Sequence, residues 1–185
     1  MRKILSLFLI LSLPVPAMAA QNLMFGENDK NSVAIYVAQS TGTHNINKLV
    51  WPFKWEISPQ TFIMATYAQP VQIFRLPGRI NLNFMQNIAY ESSSGLSFIG
   101  TGVSWDVSLL QYSGFYFGVG IGPYYRDNRD RWVSSRLFFG EKVYIGKRIS
   151  DHWRGELSTI HFSNGDLTET NSGFNFVGLS LNYSF

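Results

Sequence analysis

The 185-residue sequence has no cysteine. That excludes a disulfide framework, a thiolate zinc site and a cysteine nucleophile. Charge is scarce as well. Asp, Glu, Lys and Arg make up 15% of the residues, against about 25% in an ordinary soluble domain. Beyond the first twenty residues there is no apolar run of membrane-spanning length, so any crossing of a bilayer falls to strands. What is present is aromatic: Phe, Trp and Tyr reach 16%, which excludes a disordered chain. The length suits one domain with a leader. Low charge with many aromatics points to a membrane barrel.

Residues 1–19 read as a secretory signal peptide. Arg2 and Lys3 precede the apolar run Ile4–Leu13, and Ala17-Met18-Ala19 supplies a small-residue cleavage site. The run is too short for a spanning helix, which needs about 20 residues. No cysteine follows it, so this is not a lipoprotein leader. Removing Arg2 and Lys3 lowers the formal charge from +3 to +1, and a nucleic-acid partner has no support. Residues 20–185 are expected to form the barrel.

The remaining chain alternates in short segments separated by turn residues. Eight strands are expected, at 32–40, 60–68, 79–90, 95–107, 114–125, 133–147, 152–164 and 173–185. In the third, Ile80, Leu82 and Phe84 alternate with Asn81 and Asn83. In the fifth, Phe115, Phe117, Val119 and Ile121 alternate with Tyr116 and three glycines. A soluble sandwich alternates too. The leader, the even strand count and a last strand closing on Phe185 favour an all-β, eight-stranded antiparallel outer-membrane barrel. With both termini periplasmic, 41–59 becomes a long first outer loop carrying Trp51, Pro52, Phe53 and Trp55.

The chemistry lies in the seventh strand. Residues two apart on a strand share a face, so His161 and Ser163 point the same way. Imidazole beside a hydroxyl is the base–nucleophile pairing of acyl transfer. Arg154, Glu156 and Ser158 belong in a polar lumen, which puts the odd residues, from Trp153 to Ser163, against lipid. Polar side chains against acyl chains are costly and suggest function; polar residues also occur at the membrane interface without one. On the eighth strand Asn175 is the one polar member of the lipid face. Hairpin closure is expected to set it roughly opposite Ser163.

His161-Phe162-Ser163-Asn164-Gly165, Asn171-Ser172-Gly173-Phe174-Asn175 and the closing aromatic strand resemble the lipid A 3-O-deacylases of the PagL type. Gln69-Pro70 and Arg75-Leu76-Pro77-Gly78-Arg79 resemble that family more loosely. The resemblance implies a membrane-embedded esterase that removes the 3-position acyl chain from lipid A in the outer leaflet. It implies a Ser–His–acid triad on the outer wall, with no metal and no cofactor. Ser163 then matches the nucleophile, His161 the general base, and Asn164 a residue associated with oxyanion stabilisation.

The sequence departs from that pattern twice. Asn175 occupies the slot of the triad acid, and Asp166 stands where the family often has glycine. Asparagine can orient imidazole, yet loss of the acid costs about 10⁴ in a serine protease. Glu141 is an alternative acid, expected beside Thr159 and diagonal to His161 unless a bulge turns it into the lumen. Glu169 ranks third. His44 and His152 read as loop or turn residues. Lys48, Arg126, Arg129 and Arg131 are loop cations that could meet lipid A phosphates. The rival readings are a catalytically silent structural or adhesive barrel and a lipid-transferring barrel. Association of two barrels as a homodimer is left open.

Overall fold

The computed structural model describes residues 30–43, 55–91, 96–129 and 132–185. The expected leader, Trp51, Pro52, Phe53, His44, Lys48 and Arg131 lie outside the described residues. Eight strands form a closed antiparallel barrel in chain order. They are β1 (Ser32–Thr43), β2 (Ser58–Ile73), β3 (Leu76–Ala89), β4 (Phe98–Tyr112), β5 (Phe115–Arg126), β6 (Leu137–Arg148), β7 (Trp153–Ser163) and β8 (Phe174–Ser184). Closure pairs β8 with β1, so every strand has a neighbour on both sides. Short turns at Phe74–Arg75, Ser113–Gly114 and Ile149–His152 mark one rim, and the longer connections gather at the other. Short turns are periplasmic and long loops extracellular in outer-membrane barrels.

Alternation sets the two surfaces. Outward residues such as Ile35, Leu82, Phe84, Ile121, Leu157, Leu179 and Leu181 are exposed, as a lipid-facing belt requires. Trp153 packs on Tyr183 with ring centroids 4.9 Å apart near the short-turn rim. Interfacial aromatics of this kind line the membrane boundary.

The lumen is packed in two tiers. Toward the long loops, Phe62, Phe98, Phe138, Phe162, Phe174 and Phe176 are buried in mutual contact. Gly140, the cross-strand partner of Phe162, makes room for them: a Cβ there would lie 2.7 Å from both the Phe162 and Tyr124 rings. Toward the short turns the filling is charged. Arg79 Nη2 donates to Asp106 Oδ2 at 3.0 Å and Glu156 Oε2 at 2.9 Å. Lys142 Nζ donates to Asp106 at 2.6 Å, and Tyr116 Oη to Glu156 at 2.8 Å. Opposite charges removed from water are held by these mutual hydrogen bonds. The cavity left among them is about 30 Å³, room for a water or two rather than a channel.

The strand count and faces match expectation; several boundaries do not. β2 and β3 meet in a tight hairpin with Phe74 and Arg75 both at positive φ, although the expected strands 60–68 and 79–90 left a longer connection between them. Both prolines sit where their strand outruns its other neighbour: β1 pairs β2 only as far as Ala68, and β4 pairs β3 only from Gly78. A missing N–H costs nothing on such an edge. β4 continues to Tyr112 through a bulge at Ser108–Leu110 that breaks the alternation. β6 starts at Leu137 rather than 133, because Val133 turns inward and is fully buried. Its carbonyl accepts from Arg126, and Arg126 Nε also donates to Ser135 O at 3.2 Å. Arg126 is therefore not a loop cation: it is fully buried against the Phe98, Phe138 and Phe174 rings. Arg129 remains exposed.

Glu156→Ala should destabilise the barrel by about 3 kcal/mol, because Arg79 and Tyr116 lose a buried partner. Urea unfolding in lipid vesicles measures it, and an unchanged midpoint would show that Glu156 does not hold Arg79 and Tyr116.

Candidate functional site

The β6–β7 and β7–β8 ladders run without a register shift. His161 is the cross-strand partner of Glu141 on one side and of Asn175 on the other. Both expected placements move by one same-face step. Asn175 stands opposite His161 rather than Ser163, and Glu141 opposite His161 rather than Thr159, which pairs with Val143. The four-residue turn Ile149–His152 and the long 164–173 loop set these registers. Because β6 has no bulge, Glu141 keeps its outward parity, and the lumen placement is excluded. Glu141, His161 and Asn175 thus form one row across three strands on the outer wall.

His161 and Asn175 are outward by parity yet buried. Asn175 Oδ1 lies 2.8 Å from His161 Nδ1. An amide oxygen only accepts, so this contact places the proton on Nδ1 and leaves Nε2 with its lone pair. Asn175 Nδ2 donates to Gly42 O at 3.5 Å, which agrees with that amide orientation. Gly173, at φ 65°, packs against the Cε1–Nε2 edge of the ring: a Cβ there would lie 2.5 Å from Cε1 and 3.1 Å from Nε2 of His161. The sequence pattern contains Gly173 but gave no reason for it; the reason is this contact together with the positive φ. Ser163, half-buried at the end of β7, shares the face of His161, and its hydroxyl makes no hydrogen bond among the described residues.

The segment after Ser163 is a built turn. Leu167 N donates to Asn164 O at 3.2 Å, with Gly165 and Asp166 both at positive φ, as in a type I′ turn. Asn164 is fully buried, and its groups are engaged. Its N–H donates to Asn171 Oδ1 at 2.8 Å, its Nδ2 to Thr168 Oγ1 and to Thr170 O at 3.0 Å, and its Oδ1 accepts from Asp166 N at 3.0 Å. Asp166 in turn accepts from Asn171 Nδ2 at 2.8 Å. A second loop clamps this one: Val133 bridges Asn171, and Ser172 N donates to Trp132 O at 2.7 Å. Asn164 accordingly holds the turn, and its amide is not free to meet an oxyanion. Gly165 N–H, next along the chain, has no hydrogen-bond partner among the described residues.

Other candidates fall away. Glu169 is exposed in the loop. His152 sits at the short-turn rim, its Nδ1 2.8 Å from Ser184 O and its ring stacked on Tyr183. Among the described residues no cluster of His, Asp and Glu could hold a metal ion.

Residues 46–184 match the family model described as lipid A 3-O-deacylase (PagL). The fold resembles solved outer-membrane barrels. One is the outer membrane enzyme PagL, at 12% identity and TM-score 0.57, covering 82% of this chain and 97% of that one. Neisserial surface protein A superposes at 8% identity and TM-score 0.59, covering 84% and 97%. The N-terminal barrel domain of Pseudomonas aeruginosa OprF does so at 6% and 0.57, covering 85% and 98%. No curated protein sequence matches the chain. Pairing of two barrels finds no support in the fold or in these relatives.

Asn171→Ala should raise amide hydrogen exchange at Asn164 about tenfold, the effect of one lost buried hydrogen bond. An unchanged rate would show that Asn171 does not hold the turn.

Proposed function

The chain belongs to the lipid A 3-O-deacylase family of the bacterial outer membrane, and on that footing we propose that it hydrolyses the ester at the 3-position of lipid A with Ser163 as nucleophile and His161 as base. The observation that carries this reading is the 2.8 Å contact between His161 Nδ1 and Asn175 Oδ1. It leaves Nε2 basic on the face that Ser163 shares.

In the forward step Ser163 Oγ attacks the ester carbonyl carbon while His161 Nε2 takes the hydroxyl proton. The carbonyl oxygen becomes an oxyanion, and Gly165 N–H is the uncommitted donor beside the nucleophile. The tetrahedral intermediate collapses as the C–O bond to the sugar breaks and imidazolium protonates the departing 3-hydroxyl. Water then attacks the acyl-enzyme, with Nε2 as base again, and releases a fatty acid. Nucleophile–base bonds are commonly loose in ligand-free enzymes and tighten with substrate, which fits a Ser163 hydroxyl that makes no bond among the described residues.

Position fits the substrate. The row lies on the outer wall near the long-loop rim, where outer-leaflet acyl chains meet their sugar. Arg129, exposed in the β5–β6 loop, is a cation available to a lipid A phosphate. Asn175 orients the ring as in Cys-His-Asn enzymes.

Mass spectrometry of lipid A from cells expressing the wild type or Ser163→Ala tests the proposal. Loss of one hydroxyacyl chain only with the wild type is expected. Identical lipid A, with both barrels folded in the outer membrane, would point instead to a catalytically silent barrel. Gly173→Ala should lower the rate at least tenfold without unfolding the barrel, since the added methyl displaces His161; full activity would contradict the ring placement.

A further inference from the structure

Imidazole that accepts a proton at Nε2 becomes a cation, and its hydrogen-bonded neighbour Asn175 is neutral. We propose that Glu141 supplies the missing countercharge from the opposite strand. This rests on the Ser163–His161 reading and names a residue that acts through His161, a positioning and electrostatic role rather than contact with the substrate.

Three observations carry it. First, Glu141 is the direct cross-strand partner of His161, across the ring from Asn175. Side chains of such partners lie about 4.5–5.5 Å apart at Cβ. Second, it alone fits by charge and side. Of the acidic residues on β6, β7 and β8, Glu156 points into the lumen and bonds Arg79 and Tyr116, and Glu141 alone shares the outward face of His161. Lys142, beside it in sequence, points the other way to Asp106. Third, Glu141 Oε2 is buried and has no hydrogen-bond partner among the described residues. A carboxylate in that condition on a lipid-facing wall is a standing cost to the fold. A cation formed transiently next to it is stabilised by a carboxyl group whose position the β6–β7 register already fixes.

The acid of a hydrolytic triad normally holds Nδ1 and balances the charge with one side chain. Here the two tasks are divided between strands: Asn175 on β8 orients the ring and Glu141 on β6 balances it.

The test uses the full-length barrel refolded in lipid vesicles containing lipopolysaccharide. Ser163→Ala sets the background rate. Glu141→Gln is expected to lower kcat about 10²-fold with KM little changed, the effect of one unit charge a few ångströms from imidazolium at intermediate dielectric. It should unfold at the same or a higher urea concentration than the wild type, since it removes a buried charge. Moving the carboxylate across the ring, in Glu141→Gln with Asn175→Asp, should recover most of the rate. If Glu141 were merely structural, Glu141→Gln would cost as much beside Asn175→Asp as it does in the wild type; as a countercharge it should cost little there. A wild-type rate in Glu141→Gln, or a folded double variant with no recovery, overturns the proposal. Wild-type hydrolysis no faster than Ser163→Ala instead overturns the esterase reading, and this proposal with it.

Discussion

Parity is the constraint on which the molecule depends. In a closed barrel each side chain points either into the lumen or toward lipid, and a one-residue slip would exchange the two. The uninterrupted ladders of β6, β7 and β8 fix that parity where it matters. They force Glu141, His161 and Asn175 outward in one row and send Lys142, Glu156 and Phe162 inward. The row lies on the outer wall and not in the lumen, on the side where a lipid-facing belt surrounds the barrel.

The lumen keeps the register from slipping. Aromatic rings fill the tier behind the site, with Phe162 next to His161 in sequence and packed on Phe138 and Phe174. Buried charge fills the other tier through Arg79, Asp106, Lys142 and Glu156. Arg126 links this packing to the loops, holding the backbone of Val133 and Ser135. That segment then clamps the loop following Ser163 through Asn171 and Ser172. A rigid interior thus supports the row built on the exterior and holds the His161 ring at a fixed angle.

Much of this was legible in the sequence because period-two alternation is a strong signal. Eight strands, the inward Asn81 and Asn83, and the outward parity of His161 and Ser163 follow from it directly. What escaped depends on long-range pairing. Pro70 and Pro77 fell outside the expected strands, but unequal strand lengths let them extend a hairpin on its free edges. Loop geometry shifted Asn175 and Glu141 by one same-face step, enough to turn a diagonal neighbour into a direct partner of His161. Arg126 looked like a loop cation until the aromatic tier surrounded it. The packing of Gly173 against imidazole and the consumption of the Asn164 donors are tertiary facts with no local signature. The departure at Asn175, by contrast, was plain in the sequence, whereas the direct pairing of Glu141 with His161 required the register.

The central claim is that the outward His161–Ser163 pair is an activated nucleophile. The most direct measurement is labelling of the vesicle-embedded barrel with a lipid-like fluorophosphonate, with the modified residue located by tandem mass spectrometry. One adduct is expected, on Ser163, formed far more slowly when His161 is replaced by alanine. No adduct, an adduct at another hydroxyl, or a rate indifferent to His161 would contradict it.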